Sequence, residues 1–142
     1  MPIQLEIVTP ERLAFSDTVD SVVVPGSEGE LGVLPHHAPL VATLGAGELR
    51  LRKGGQEESF AIVGGFLQVL PDKVVVMAET ADMASEIDLE KAQEARRQAE
   101  AALESGFHEG ADLSAARAAL QQALIRIRVA ERRHREGPRH RG

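Results

Sequence analysis

The chain has 142 residues, a formal net charge of −6 and 43% hydrophobic residues, enough for the core of one ordinary domain or of one small domain with an appendage. It contains no Cys, Trp or Tyr and only four Phe, so disulfides, thiolate metal sites and Cys nucleophiles are excluded and the core must be aliphatic. The start of the chain lacks a basic region, and no apolar run approaches the ~20 residues of a membrane span. We therefore expect a soluble protein, or one that meets a membrane only through partners.

The first 84 residues predict short strands separated by turns. The segment IQLEIVT alternates with the period of two that is typical of a half-buried strand. Further β-rich runs end at Gly, Pro or Asp, namely DSVVVPG, GELRLRKGG, ESFAIVGG, FLQVLPD and KVVVMAE. Turn signals that recur about every 8–12 residues are typical of an all-β sandwich or barrel. We predict eight or nine strands between residues 2 and 80, with Gly64-Gly65 as a tight turn between two of them.

The pattern changes near residue 85 to apolar residues at three- and four-residue steps, which predicts helices. Asp88 is a candidate N-cap for the first helix, and Asp112 is one for the second, after a break in SGFHEG at 105–110. The two apolar stripes are narrow and rich in small residues, the first with Ala92, Ala95, Ala99, Ala102 and Leu103, the second with Leu113, Ala116, Leu120, Leu124, Ile127 and Ala130. Two helices of about 16–20 residues with such stripes predict an antiparallel hairpin that must lean on another surface and could come off it.

These patterns divide the chain into three parts. We predict an all-β sandwich domain at 1–84, a C-terminal antiparallel two-helix hairpin at 85–135 and a basic flexible tail at 136–142. Residues 1–84 hold 5 Lys/Arg and 12 Asp/Glu, a charge of −7, whereas residues 85–142 hold 11 and 10, a charge of +1. From Arg126 onward, seven Arg stand against two Glu, a charge of +5. This division argues against nucleic acid as a partner of the sandwich and favours an acidic partner for the tail.

No motif in the chain predicts catalysis. A phosphate-binding loop, a Gly-x-Ser-x-Gly motif and a His-Glu-x-x-His motif are all absent from the sequence. His36 and His37 are adjacent, so in an extended segment they point to opposite sides and cannot easily chelate one ion. Glu28 and Glu30 lie among glycines, where solvent exposure does not favour acid–base catalysis. We predict no catalytic residue and no metal site, and the residues alone indicate an interaction protein.

Several long segments resemble the epsilon subunit of bacterial F-type ATP synthases. They are GSEGELGVLPHHAPL at 26–40, GGFLQV at 64–69 and IDLEKAQEARRQAE at 87–100, with VTPERLAFSDTVDSVVVPG before them and LIRIRVAE at 124–131 after them. The resemblance covers residues 1 to about 133, and RHREGPRHRG falls outside the usual pattern. It implies a sandwich of about ten strands followed by a two-helix hairpin.

The resemblance also implies a function. Such a subunit is a non-catalytic part of the central rotor, bound to the gamma subunit and the c-ring, and it helps to couple ion flow to ATP synthesis. In bacterial relatives the hairpin can extend along gamma and block ATP hydrolysis. The implied location is peripheral, on the cytoplasmic face of the bacterial plasma membrane, with the membrane reached only through the complex. The resemblance assigns Glu30, left free for a basic loop, to the c-ring contact and His37 to the gamma contact.

Some bacterial relatives bind ATP through an Ile/Leu-Asp-x-x-Arg-Ala motif. Here the matching residues are Ile87, Asp88, Lys91 and Ala92, with Asp82 before the motif and Arg126 on the second helix. Lys91 replaces an arginine of the motif, and Gln98 and Gln122 stand at two further arginine positions. Lysine offers a point charge in place of a bidentate fork, so phosphate contacts are weakened. We therefore expect no required cofactor and only weak ATP binding.

The arginine-rich end of the second helix suggests a partner for the extended hairpin. Arg128, Arg132 and Arg135 recur at four- and three-residue steps and would share a helical face. We expect this face to meet acidic residues of the alpha and beta subunits when the hairpin is extended, and so to restrain hydrolysis. The alternative function is a stand-alone regulatory ATP-binding module, which co-purification with gamma would distinguish from a rotor subunit.

Overall fold

The computed structural model describes residues 3–34, 38–105 and 110–136. This part of the chain forms eight strands, a short 3-10 helix at Ala84–Glu86 and two α-helices. The strands are β1 (Ile3–Val8), β2 (Leu13–Val19), β3 (Ser21–Gly26), β4 (Gly29–Val33), β5 (Leu40–Thr43), β6 (Ala46–Lys53), β7 (Gln56–Leu70) and β8 (Lys73–Met83). The helices are α1 (Leu89–Ser105) and α2 (Gly110–Glu136).

The strands form a sandwich because β7 and β8 are long enough to belong to both layers. Residues 66–69 of β7 pair with β5, and residues 73–77 of β8 pair in parallel with β1, which pairs with β2. Residues 56–63 of β7 pair with β6, which continues to β3 and β4. Counting β7 and β8 in each layer gives a first layer of β2-β1-β8-β7-β5 and a second layer of β4-β3-β6-β7-β8. The predicted fold class is confirmed, and eight strands supply the ten segments that the resemblance implied.

An aliphatic core fills the space between the layers. Ile3, Leu5 and Ile7 are buried as the alternation of β1 predicts, and inward residues of the other strands join them. Phe60 is the largest fully buried side chain, and its ring meets that of Phe15 edge-on at 5.7 Å between centroids. Every fully buried member of this core lies between residues 3 and 81, so the sandwich closes its own core without the helices.

Gly64-Gly65 is not a turn, and that prediction is wrong. Both residues have positive φ, 65° and 114°, but β7 runs through them without a break. Here the pairing with β8 steps from Val63–Thr80 to Gly65–Ala78, and the strand passes from the second layer to the first. A Cβ at Gly65 would lie 1.9 Å from the carbonyl oxygen of Met77. Glycine therefore lets a single strand bend between the layers.

The helices differ from their predicted bounds. The cap at Asp88 is confirmed, because its Oδ1 accepts a hydrogen bond from the Lys91 backbone N–H at 3.2 Å. The cap at Asp112 is wrong, because α2 begins at Gly110 and is 27 residues long. Leu124 is 42% exposed and not on the inner face. The reason is that Ile125 and Val129, four residues apart, turn toward the sandwich. No helix in the described ranges has the length and apolar character needed to cross a membrane.

The bend in β7 gives a test of the fold. We expect Gly65→Ala to lower the free energy of unfolding by about 2–4 kcal/mol, because the methyl group meets backbone atoms of β8 at a positive φ. Gly54→Ala is the matched control: Gly54 also has a positive φ of 60°, but a Cβ there meets nothing within 4 Å, so we expect a loss of about 1 kcal/mol. Urea unfolding followed by circular dichroism measures both. Equal losses in the two variants would contradict the role given to Gly65.

Candidate functional site

The hairpin docks on the outer face of the second layer, which is lined with small residues. Ala61 and Ala84 are buried there against Ile125 and Val129 of α2, with Ala46 and Ile87 at the edge of the contact. Small side chains let the helix approach the sheet, which explains why the ESFAIVGG run is apolar on both faces. Burying two aliphatic side chains contributes about 3–6 kcal/mol before the entropy cost of ordering the hairpin. The apolar contact alone therefore holds the hairpin weakly.

Two arginines of α2 add polar contacts to this interface. Arg126 Nε donates to Asp82 Oδ2 at 2.8 Å. Arg132 donates to Glu48 at 2.8 Å, to Glu57 at 3.3 Å and to the Ser59 hydroxyl at 3.2 Å. The Glu48 and Glu57 side chains are only 12% and 17% exposed. Solvent screens these contacts less than it screens ordinary surface ion pairs, so they help to hold the hairpin down.

A fourth acidic residue, Glu58, lies near Arg133 of α2. Burial raises the pKa of the Glu58 carboxyl, while the charge of Arg133 and a hydrogen bond from Ser85 lower it in part. The 3.5 Å contact from the Ser85 hydroxyl to Glu58 links the sheet to the connection that leads into α1. Asp82, Glu48 and Glu57 of the sandwich thus form the ion pairs with Arg126 and Arg132 of α2.

α1 reaches the sandwich mainly through α2. It packs against α2, and its buried residues are Ala92 and Ala99. On α2, Ala116, Ala123, Ile127 and Ala130 are buried at helical spacing. Because α1 depends on α2 and α2 depends on the contacts described above, loss of the α2 contacts would free the whole hairpin.

A cleft of about 310 Å³ opens where the sandwich, the linker and both helices meet. It is lined by Asp82, Glu86, Ile87, Asp88, Lys91, Ala92 and Arg126. The structure therefore brings together all six residues that the sequence suggested as ATP contacts. Glu86, which the sequence analysis did not single out, completes the lining.

The chemistry of this cleft is poorly suited to a polyphosphate. Three carboxylates and two cationic side chains line it, and Arg126 is already paired with Asp82. Asp88 is occupied as the cap of α1. Gln98 does not line the cleft: it donates to Glu94 on the exposed side of α1. Gln122 is not among the lining residues either. The cleft has the size of a small ligand site but carries a net negative charge.

The residues predicted to contact partners have different surroundings. Glu30 is 59% exposed but not free, because Arg50 bridges it at 3.1 Å, and the prediction of a free side chain is wrong. The cause is register: Arg50 and Glu30 lie on neighbouring positions of β6 and β4 across β3. His37 lies outside the described residues. Arg128 is exposed, Arg132 is docked, and the side chain of Arg135 lies outside the described part of the chain.

The acidic residues that receive Arg132 were not predicted from the sequence. A signal for them was present: the Gly54-Gly55 turn, with positive φ at both residues, fixes the register of β6 against β7. That register pairs Arg52 with Glu57 and places Glu48 on the same face of the sheet. The sequence does not indicate which helix covers this face of the sheet.

The outer face of the first layer carries an exposed apolar stripe. Phe66 and Met77 are direct cross-strand neighbours and are 53% and 42% exposed. Val8 continues the stripe toward Leu13, which is 58% exposed, and Val41 of β5 is 71% exposed. Several exposed apolar side chains on one face indicate a surface that another protein covers. Among the described residues, no group of His, Asp and Glu is arranged to hold a metal ion.

Comparison with known families gives matches along most of the chain. Residues 2–84 match the family described as the ATP synthase delta/epsilon chain, beta-sandwich domain, and residues 85–131 match its long alpha-helix domain. An ATP synthase epsilon chain of Dehalococcoides mccartyi is 48% identical over 131 residues, covering 92% of this chain and 94% of the relative. One of Herpetosiphon aurantiacus is 47% identical over 137 residues, covering 96% of this chain and all of the relative.

Solved structures agree with these matches. A chain of the Euglena gracilis mitochondrial ATP synthase, solved by cryo-EM with its c-ring, superposes with a TM-score of 0.64 at 27% identity and covers 92% of this chain and 78% of its own length. A chain in the central stalk and c-ring of the Tetrahymena thermophila enzyme has a TM-score of 0.58 at 12% identity, covering 92% of this chain and 97% of its own. The second likeness supports the fold alone.

Proposed function

Because the chain belongs to the family of ATP synthase epsilon chains, accessory subunits that are not themselves catalytic, we propose that it couples ion translocation to ATP synthesis in the central stalk and restrains ATP hydrolysis through its C-terminal helices. The proposed restraint of ATP hydrolysis is supported mainly by the way in which the hairpin docks on the sandwich. A few apolar side chains and two arginines hold it on a sandwich that has a core of its own. Such a hairpin can leave while the sandwich stays folded.

Two surfaces of the sandwich are available for the rotor contacts. The apolar stripe around Phe66 and Met77 fits the gamma subunit, because the outer face of the second layer is already covered by the hairpin. His37, assigned to gamma, lies three residues before β5, the strand that carries Val41 at the edge of this stripe. Glu30, at the tip of β4, fits a basic loop of the c-ring. In this arrangement the chain is peripheral, on the cytoplasmic face of a bacterial plasma membrane.

The alternative function is a stand-alone regulatory ATP-binding module, and one observation favours it. The six candidate ATP contacts line one cleft beside the hairpin connection. The negative balance of that cleft argues for weak binding, so ATP is at most a modulator here and not a required cofactor. Membership in a multisubunit complex is the stronger proposal.

The partners can be tested by affinity capture. A tagged copy expressed in a bacterium that carries its own ATP synthase genes should bring down gamma, alpha, beta and c subunits from detergent-solubilised membranes. A variant with Phe66→Ser and Met77→Ser should lose gamma, because polar residues remove the apolar contact, whereas Leu124→Ser, at a similarly exposed site on α2, should keep it. Capture of the chain without gamma would support the stand-alone module.

The cleft can be tested by calorimetry with ATP. We expect the unaltered chain to bind weakly, in the millimolar range or not at all. Glu86→Gln with Lys91→Arg should raise the affinity roughly ten- to a hundredfold, because a repelling carboxylate is removed and a charge-assisted contact worth about 1.5–3 kcal/mol is added. Glu100→Gln, on the exposed side of α1, is the charge-matched control for Glu86→Gln. Micromolar binding by the unaltered chain would contradict the proposal.

Hydrolysis by the assembled complex tests the restraint. Glu48→Gln with Glu57→Gln leaves the hairpin sequence intact but removes the two negative charges that attract Arg132, which should favour the extended hairpin by about 1–2 kcal/mol and lower ATP hydrolysis. Truncation to residues 1–84 should raise hydrolysis, and the two substitutions should then have no effect.

The control for these variants changes the charge equally at a distance. Glu11→Gln with Asp72→Asn alters two exposed residues outside the docking face and should leave hydrolysis unchanged. Arg128→Ala, exposed while the hairpin is docked, should weaken the restraint slightly, by about 0.2–1 kcal/mol, without altering docking. Hydrolysis that stays the same in the Glu48/Glu57 variant and in the truncated chain would remove the restraint from the proposal.

A further inference from the structure

A chain of ion pairs crosses the outer face of the second layer and joins Glu30 to the hairpin. Arg50 Nη1 lies 3.1 Å from Glu30 and 3.9 Å from Glu48, and its Nε lies 3.8 Å from Glu57. Arg132 of α2 lies 2.8 Å from Glu48 and 3.3 Å from Glu57. One arginine of the sandwich and one of the hairpin therefore share the same two carboxylates.

The members of this network differ in their access to solvent. Glu48 and Glu57 are 12% and 17% exposed, and the two arginines that share them are about 30% exposed. The side chain of Glu30 is 59% exposed. A cationic group arriving from outside therefore meets the network most easily at Glu30.

Among the described side chains of this network, the positive and negative charges are equal in number while the hairpin is docked. Arg52 lies 3.9 Å from Glu57 and joins the set. Three carboxylates then face three arginines, one of which is Arg132. If an outside cation takes over the charge of Glu30, Arg50 and Arg52 are sufficient to balance Glu48 and Glu57. The attraction of Arg132 to these two carboxylates then falls.

We propose that Glu30 is the sensing end of this network: a cationic partner group that binds Glu30 releases Arg50 toward Glu48 and Glu57, and so weakens the docking of the hairpin through Arg132. Reciprocity follows from linkage, so undocking of the hairpin strengthens the attraction of Glu30 for the cation by the same factor. The identity of the cation as a c-ring loop rests on the proposed function. The coupling itself is a property of the isolated chain.

A thiol under the hairpin measures the coupling. The natural sequence has no Cys, so Ala61→Cys, at a position only 2% exposed beneath Ile125 and Val129, provides one thiol whose reaction with a soluble disulfide reagent requires undocking. The full-length Ala61→Cys chain is the reference for every further variant.

The expected results have opposite signs. Glu30→Gln should speed the thiol reaction roughly two- to fivefold, because it removes the competitor for Arg50. Arg50→Gln should slow it by a similar factor, because Glu48 and Glu57 then depend more on Arg132. In the Arg50→Gln background, Glu30→Gln should have no effect, since the connection is gone. Glu28→Gln, the same charge change two residues away in the turn before β4, should leave the rate unchanged.

Three results of the thiol measurement would overturn the proposal. The first is an unchanged or slower thiol reaction in Glu30→Gln. The second is an effect of Glu30→Gln that is the same with Arg50 and with Arg50→Gln. The third is an effect of Glu28→Gln as large as that of Glu30→Gln, which would indicate a general effect of charge. Hydrogen exchange of sandwich core amides accompanies each measurement, and an increase there that matches the thiol rate would mean global unfolding and would also overturn it. If Glu30→Gln does not change the thiol rate while the chain still captures gamma, the coupling alone is refuted. If capture of gamma fails, the proposed function is refuted, and the thiol rates still test the coupling independently.

Discussion

Arg132 and the two carboxylates that receive it, Glu48 and Glu57, are the contact on which the proposed regulation by the hairpin depends. The sandwich has a core of its own, and α1 packs mainly on α2, so the link between the two parts lies at one helix face. Among the described residues of that face, the large apolar side chains buried against the sandwich are Ile125 and Val129. Because the apolar contribution is small, ion pairs worth about a kilocalorie each are a large share of the docking free energy. Docking can therefore respond to charge.

The sandwich reaches this arrangement through two long strands that serve both layers. The bend at Gly64 and Gly65 carries β7 from one layer to the other, and the two faces of the sandwich consequently have different characters. One outer face is apolar and exposed around Phe66 and Met77. The other carries acidic and small side chains and is covered by the hairpin. In the proposed function, the first face meets the gamma subunit and the second holds the hairpin. The cleft beside Arg126 lies at the edge of the second, where a ligand would sense whether the hairpin is docked.

Much of the fold and part of the site could be predicted from the sequence. The alternation in β1, the cap at Asp88 and the change to helical spacing near residue 85 are local signals that need no knowledge of the rest of the chain. The misplaced turn at Gly64-Gly65 arose because a positive φ marks a turn and a bend in a strand equally well. Leu124 was misplaced because α2 packs on two neighbours at once, and a single stripe cannot describe two faces.

The sequence by itself determined an aliphatic sandwich, a helical hairpin with little apolar surface, an acidic front and a basic end. These follow from composition and from periods of two and 3.6 residues, which act over a few residues. Only the tertiary structure decided that Glu48 and Glu57 receive Arg132, that Arg50 connects them to Glu30, and that the candidate ATP contacts surround one cleft. The contacts of Arg132 with Glu48 and Glu57 and of Arg50 with Glu30 join residues 20 to 84 positions apart, and these pairings depend on which layer, register and helix face the whole chain brings together. A local pattern cannot specify such pairings, because each charged side chain has many oppositely charged residues to choose from until the fold selects one.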